Sequence, residues 1–279
     1  MTLAAFALVL LSASADEAVT FLGEKPKGPV RRVVTASPAL TDAVLELGNA
    51  SVLVGVSRFD ERVEVKDLPR VGGFNDPSLE VIVRLRPDVV LLARAPSNQP
   101  RAEALAARGI YVVAARLKSV RDVKEAMKAL GALLDAKAKA EAWERAFLAT
   151  SPRGVSDAGS RPRALVVVGF KPLVVAGPGS FVHELLMEAG ADNLAEEAPT
   201  GYPLYSLERA LRLAPDIVID ASDSVEGRDR VHALPGFSKA RWVTLRSKAL
   251  LRPGPALSQA FDELVEALAA AAHVDERAP

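Results

Sequence analysis

The chain is expected to fold as an α/β protein of two similar lobes, each built on a mainly parallel sheet, with helix between them. Three observations predict this. Short apolar runs alternate with helical segments before residue 116 and again after residue 162, which is the pattern of strand–helix–strand layers. The stretch between, "SVRDVKEAMKALGALLDAKAKAEAWERAFLAT" (119–150), has no strand signal and is rich in Ala, Lys, Glu and Leu, the strong helix formers. One segment is also written twice. "LEVIVRLRPDVVLL" at 79–92 and "LERALRLAPDIVID" at 207–220 share Leu, Glu, Arg-Leu and Pro-Asp at a constant offset of 128 residues. In a chain of 279 residues that offset fits a duplicated lobe.

The elements follow in order. "RRVVTAS" (31–37) is a short strand ending in small polar residues, and "PALTDAVLELGN" (38–49) is a helix with an apolar face and a Gly48-Asn49 stop. "SVLVGVS" (51–57) is a second strand. A polar loop from Asp60 to Arg70 leads to "VGGFNDPSLE", whose Asp76-Pro77-Ser78 starts a helix over 78–85. "DVVLLA" (88–93) is a buried strand after Pro87. "RAEALAARG" is a helix ending at Gly109, and "IYVVAA" (110–115) is a strand. Two helices are expected over 119–134 and 136–150, unlike a Gly/Ser linker. The α/β pattern restarts with strands "RALVVVGF" (163–170) and "PLVVAG" (172–177). The helix "GSFVHELLMEAGADN" (179–193) and the repeat follow, then a short strand "WVTL" (242–245) and an amphipathic helix over 258–274. The expected units are a leader (1–15), a first lobe (31–134), a linking helix (135–160) and a second lobe (161–279).

Composition narrows the function. Apolar residues make up 49% and charged residues 25%, an ordinary globular balance. Lys and Arg number 35 and Asp and Glu 35, so nothing points to nucleic acid or a polyanion. There is no cysteine, which removes disulfides, thiolate chemistry, Cys-based zinc sites and a lipidated N-terminal Cys. The start, "MTLAAFALVLLSASADEAVT", has an apolar run from Leu3 to Leu11 and a small-x-small site, Ala13-Ser14-Ala15, before Asp16. This reads as a secretory signal peptide cleaved near Ala15, although no Lys or Arg precedes the run. The other reading is a helix of the N-terminal core. The run is too short to span a bilayer, so the mature chain is expected to be exported and not membrane-spanning.

Two α/β lobes form a cleft at the carboxyl ends of their strands, where ligands bind in such sheets. A helical bridge predicts small relative motion. Glu80 and Glu208 each stand in a first helical turn, a position that the helix dipole favours in any case. As a pair, one per lobe on one rim, they also suit bidentate pairing with arginines of a two-fold symmetric partner.

With these residues the chain resembles a substrate-binding protein of an ABC importer. More specifically, it is similar to the helical-backbone periplasmic receptors for cobalamin, haem and ferric siderophores, and most of all to those for vitamin B12. The likeness runs from about Arg32 to about Ala270. It rests on the order of "RVVTASPALTDAVLELG", "LVGVSRFD", "VGGFNDPSLEVIVRLRPDVVL" and "YPLYSLERALRLAPDIVI". The resemblance implies the class III periplasmic binding protein fold, two Rossmann-like lobes joined by a long helix. It implies docking of Glu80 and Glu208 on a permease dimer that carries ATPase subunits. It also implies a monomeric periplasmic receptor that performs no covalent chemistry and has no cofactor, the corrinoid being cargo.

The family's ligand site lies on loops that here hold Ser37-Pro38, Arg58-Phe59, Gly73-Phe74-Asn75, Phe170-Lys171-Pro172, Gly201-Tyr202-Pro203 and Arg252-Pro253-Gly254. Phe74 and Tyr202 each stand six residues before their Glu. Aromatic faces across a cleft suit a large flat ligand, though each ring could instead pack into its own lobe. Cobalamin receptors carry aromatics at the places of Phe59, Phe74 and Tyr202; here two are Phe where Tyr or Trp is expected. Haem receptors offer a Tyr or His to iron, and Gly73 and Phe74 offer neither. Siderophore receptors use Arg, for which Arg58 and Arg252 are candidates. Trp143 and Trp242 are expected to pack in the interior. The three histidines do not form a metal set: His183 lies in a helix, His232 in a polar loop and His273 in the terminal tail.

The competing class is an exported enzyme. "GPGS" (177–180) opens a helix and suits an anion, but it is no phosphate loop or dinucleotide fingerprint. No nucleophile elbow or zinc-protease motif appears. Glu80 and Glu208 as paired acids would have to face one cleft, whereas the repeat puts them on separate lobes. An exported sensor or scavenger on the same fold is a further alternative.

Overall fold

The computed structural model describes residues 17–150, 161–197, 201–222, 224–245, 250 and 254–275. The leader, residues 151–160 of the expected linking helix and Arg252 lie outside the described residues. The first sheet runs in the order β1 (Val19–Leu22), β5 (Tyr111–Ala115), β4 (Val89–Ala93), β2 (Val33–Thr35) and β3 (Leu53–Gly55). β2 to β5 pair in parallel; β1 closes the edge antiparallel to β5. The helices of this lobe are α1 (Pro38–Glu46), α2 (Leu79–Arg84) and α3 (Gln99–Ala106). α4 (Val120–Leu133) and α5 (Lys137–Thr150) form the bridge. The second sheet has the parallel strands β10 (Arg241–Thr244), β9 (Ile217–Asp220) and β6 (Arg163–Phe170). The other edge of β6 pairs in parallel with β8 (Asp192–Asn193) and antiparallel with β7 (Leu173–Val175). Around this sheet lie α6 (Phe181–Glu188), α7 (Leu207–Leu211), α8 (Arg228–His232) and α9 (Leu257–Asp275).

Strands buried on both faces sort their side chains by period two. In β4, Val89 and Leu91 face one core cluster and Val90 and Leu92 another. In β6 and β9, Ala164, Val166, Ile217 and Ile219 join the first of these clusters, while Leu165, Val167 and Val218 face a third. The cluster common to both sheets contains Met127 and Leu130 of α4, Trp143 and Phe147 of α5, and Phe261 and Leu264 of α9. The lobes are therefore joined through one continuous apolar core. Phe147 is fully buried, with ring centroids 5.9 Å from Trp143 and 5.4 Å from Phe261.

The corner between α4 and α5 is tight. Asp135 takes a positive φ of 55° and ends α4, the left-handed stop that helices use. A Cβ on Gly131 would stand 2.7 Å from the Ala140 Cβ, so glycine is what lets α5 approach. Three contacts then tie the second lobe across the bridge. The Val120 N–H at the start of α4 donates to Glu184 Oε2 of α6 at 3.0 Å. Trp143 Nε1–H donates to the Pro255 carbonyl at 2.9 Å. A Cβ on Gly254 would meet Ala39 of α1 at 3.5 Å.

The duplicated segment does the same local work in each lobe. Ser78 Oγ accepts the Val81 N–H, and Ser206 Oγ accepts the Arg209 N–H. Each serine thus caps a short helix. The Pro-Asp that follows starts the strand. The Asp88 carboxylate accepts the N–H groups of Arg31 and Arg32, both at 2.9 Å, and Asp216 accepts the Arg163 N–H at 2.7 Å. These bonds join β4 to β2 and β9 to β6 at their entry ends.

Candidate functional site: the loops at the mouth of the two lobes

Glu80 and Glu208 are both exposed, one residue into their Ser-capped helices. Glu80 is paired with Arg84 at 2.6 Å, one turn on, in the open. An exposed i,i+4 pair of this kind contributes only about 0.3–0.5 kcal/mol. The carboxylate can therefore exchange this partner for another at little cost.

The loop residues of the first lobe form one group. Ser37 follows β2, is buried, and accepts the Leu40 and Thr41 N–H groups with its carbonyl; Pro38 is half-buried. Arg58 lies 5.0 Å over the Phe59 ring and pairs with Asp76 at 3.0 Å. Gly73 passes beneath them: a Cβ there would stand 2.5 Å from Asp76 and 2.9 Å from both Arg58 and the Phe59 ring. The Asn98 amide donates to the Phe74 and Ala93 carbonyls, which ties the Phe74 loop to the end of β4. Phe59 is 58% exposed and Phe74 42%. In the second lobe, Tyr202 is 45% exposed. Its segment is stapled along β7 by bonds from the Val175 N–H to the Pro203 carbonyl and from the Gly177 N–H to the Gly201 carbonyl.

Phe170 departs from the expectation of a ligand-facing ring. It is 6% exposed and stacks on Trp242 at 6.1 Å in the core of the second lobe. An irregularity of the β6–β7 register between Val167 and Gly169 breaks the alternation, and such a bulge re-aims the next side chain. His232 is helical, not in a loop: it ends α8, tilted against Trp242 at 5.0 Å. His273 falls within α9. Among the described residues no group of three or more His, Asp or Glu is placed to hold a metal ion.

Two concavities stand out, and neither is lined by Phe59, Phe74 or Tyr202. A groove of about 670 Å³ lies between α4 and α6, lined by Arg121, Lys124, His183 and Glu184 among others. A smaller cavity of about 230 Å³ beside β7 is lined by Phe170, Tyr205 and Arg230 among others.

Sequence reasoning missed the polar floor beneath Phe59. Asp60 is 4% exposed, and its Oδ2 accepts the Thr41 hydroxyl at 3.1 Å. Thr41 in turn shares a 2.6 Å hydrogen bond with Thr35 at the end of β2. Asp60 Oδ1 has no hydrogen-bond partner among the described residues. Loss of water is the main reason that its carboxyl is pushed up to about 6. Asp42 adds to the rise; the Thr41 hydroxyl, a backbone bond from Ser57 and Arg70 oppose it. An Asp after an aromatic in a loop carries no sequence mark of burial.

The sign of the resulting pH effect is fixed. The folded chain holds this proton more tightly than the unfolded chain. Asp60 therefore supplies stability that is complete below about pH 4 and is lost as the pH rises through about 6. Asp60→Asn cannot ionise. It is expected to exceed the wild type at pH 7.5 by roughly 2–3 kcal/mol in urea unfolding, with the difference gone by about pH 4. Parallel profiles for the two proteins would contradict a desolvated carboxylate.

This architecture, with two α/β lobes on a helical bridge, is that of a two-lobe solute receptor. The chain belongs to the periplasmic binding protein family, whose profile matches residues 33–241. It is 27% identical over 240 residues to the vitamin B12-binding protein of Salmonella paratyphi A, covering 85% of this chain and 90% of that one. Its fold is similar to that of the periplasmic vitamin B12 binding protein of Vibrio cholerae, with a TM-score of 0.72 at 20% identity over 88% and 98% of the two chains. It is also similar to a periplasmic haem-binding protein from Pseudomonas aeruginosa, with a TM-score of 0.63 at 27% identity over 86% and 92%. The proteins it resembles are thus binding proteins rather than enzymes. No helix among the described residues is long and apolar enough to cross a membrane.

Proposed function

We propose that this chain is the periplasmic substrate-binding component of an ABC importer, exported by a leader cleaved near Ala15. It takes a corrinoid, cobalamin, between its lobes and delivers it to the permease without covalent chemistry. The observation that carries the reading is the exposure of Phe59, Phe74 and Tyr202 on loops of both lobes. Exposed aromatic rings on both lobes offer faces that a large flat ligand can cover by stacking and area burial. The names of the curated relatives point to the same cargo. Glu80 and Glu208 are the docking carboxylates, one for each permease subunit.

Haem or a ferric siderophore is the second reading, favoured by the haem-binding neighbour. Against haem, the Phe74 loop offers iron no ligand. For an anionic siderophore, Arg58 would have to exchange its exposed pair with Asp76, at a cost of about 0–1 kcal/mol.

Aromatic anchors in an interface are each worth about 1–3 kcal/mol when truncated. Phe74→Ala and Tyr202→Ala should therefore each weaken cyanocobalamin binding by about tenfold or more in equilibrium dialysis. Unaltered affinity in both variants would remove the aromatic clamp.

A further inference from the structure

Beneath the loop that carries Arg58 and Phe59 lies a chain of buried polar groups with no counterpart in the second lobe's described aromatic segment. It starts at Thr35 on β2, passes through Thr41 on α1 and ends on Asp60. The loop is short and pinned at both ends. The Arg58 N–H donates to the Gly72 carbonyl, the Phe59 N–H to Ser57 Oγ, and the Asp60 N–H to the Ser57 carbonyl. A change at Asp60 is therefore transmitted to its two neighbours rather than absorbed.

We propose that Asp60 is a proton-responsive positioning residue, whose buried carboxyl, held through Thr41, sets the placement of the Arg58–Phe59 wall and so adjusts the grip on ligand. That Phe59 is a wall of the binding cleft rests on the proposed function; the proton-dependent placement does not.

At neutral pH the carboxylate is charged, with one oxygen bonded to Thr41 and the other, Oδ1, without a partner among the described residues. A buried charge so poorly satisfied is a strained arrangement. A proton relieves it and lets the Ser57–Asp60 turn settle against α1. The charged groups around it are few. Asp42, on α1, opposes ionisation and is itself engaged by Arg62 at 3.3 Å; Arg70 favours ionisation. The carboxyl, lifted to about 6, titrates just below neutrality. A ligand resting on Phe59 removes more water from the turn and favours the neutral form further. By linkage, affinity rises as the pH falls through about 6.

The test places a reporter on the wall. In Phe59→Trp, emission corrected for Trp143 and Trp242 with the parent protein should shift with a midpoint near pH 6. The shift should vanish in Phe59→Trp with Asp60→Asn. With Thr41→Val, which removes the donor that favours the charged form, the midpoint should move upward. In parallel, wild-type affinity for cyanocobalamin should rise about three- to tenfold between pH 7.5 and 5, and stay flat in Asp60→Asn. Emission that is pH-independent, or that shifts alike with and without Asp60, overturns the proposal. So does an identical pH dependence of affinity in both proteins. A shift that depends on Asp60 in a protein that binds no cobalamin at any pH supports the wall and refutes only the corrinoid reading.

Discussion

Cells whose only copy carries Glu80→Ala together with Glu208→Ala are expected to lose uptake of the ligand, while the purified double variant binds it as the wild type does. Both side chains are exposed and neither belongs to a core cluster. Alanine keeps the helix propensity, and Ser78 and Ser206 still cap the two helices. The fold loses a dipole contribution of about 0.3–1 kcal/mol at each site and one exposed pair with Arg84. Neither loss approaches the stability of a two-lobe protein. The docked state loses more. On the proposed docking, an arginine desolvated against a missing carboxylate would cost about 2–5 kcal/mol, at both ends of the receptor at once. Single variants should retain partial uptake, since one lobe can still engage. Normal uptake by the double variant would refute docking through these carboxylates.

Phe147→Ala should have the largest effect on stability, on the order of 3–5 kcal/mol. Its ring is fully buried between Trp143 and Phe261, with Lys124 Nζ 4.7 Å from its centre. It therefore lies where α5 meets α4 and α9. The cavity would open in a cluster that both sheets share, so both lobes lose support together. The expected result is a single unfolding transition at a lower midpoint. For a chain of this size, each kcal/mol lowers the thermal midpoint by about 2–4 °C. Two resolved transitions in the wild type, with only one of them moved by the substitution, would contradict a shared core. The same shared core is why the bridge is expected to allow only a small closure.

What the sequence revealed and what it hid follow from burial. β4, β5, β6 and β9 are buried on both faces, so they read as unbroken apolar runs. The two bridge helices were legible from composition, and the repeat pointed to Glu80 and Glu208 because a capped helix leaves a local signature. β1 was missed. It is a four-residue edge strand with Phe21 half exposed, and its pairing with β5 is entirely tertiary. α8 has no helical mark in the sequence because Arg-Asp-Arg-Val-His holds a single apolar anchor, Val231. Phe170 stands at a pocket-loop position only by the resemblance, which does not foresee the bulge that accompanies its stacking on Trp242. Asp60 was invisible because nothing local distinguishes a solvated loop aspartate from one buried against Thr41.

The measurement that bears most directly on the central claim is a calorimetric titration of the mature chain, from Asp16, with cyanocobalamin, haem and a ferric siderophore in parallel. The account predicts tight one-to-one binding of cyanocobalamin, with a negative heat-capacity change from covered apolar surface, and weak or no heat from the iron complexes. Silence with cyanocobalamin and tight binding of an iron complex would contradict it, leaving the receptor fold in place and assigning the mouth to a different cargo.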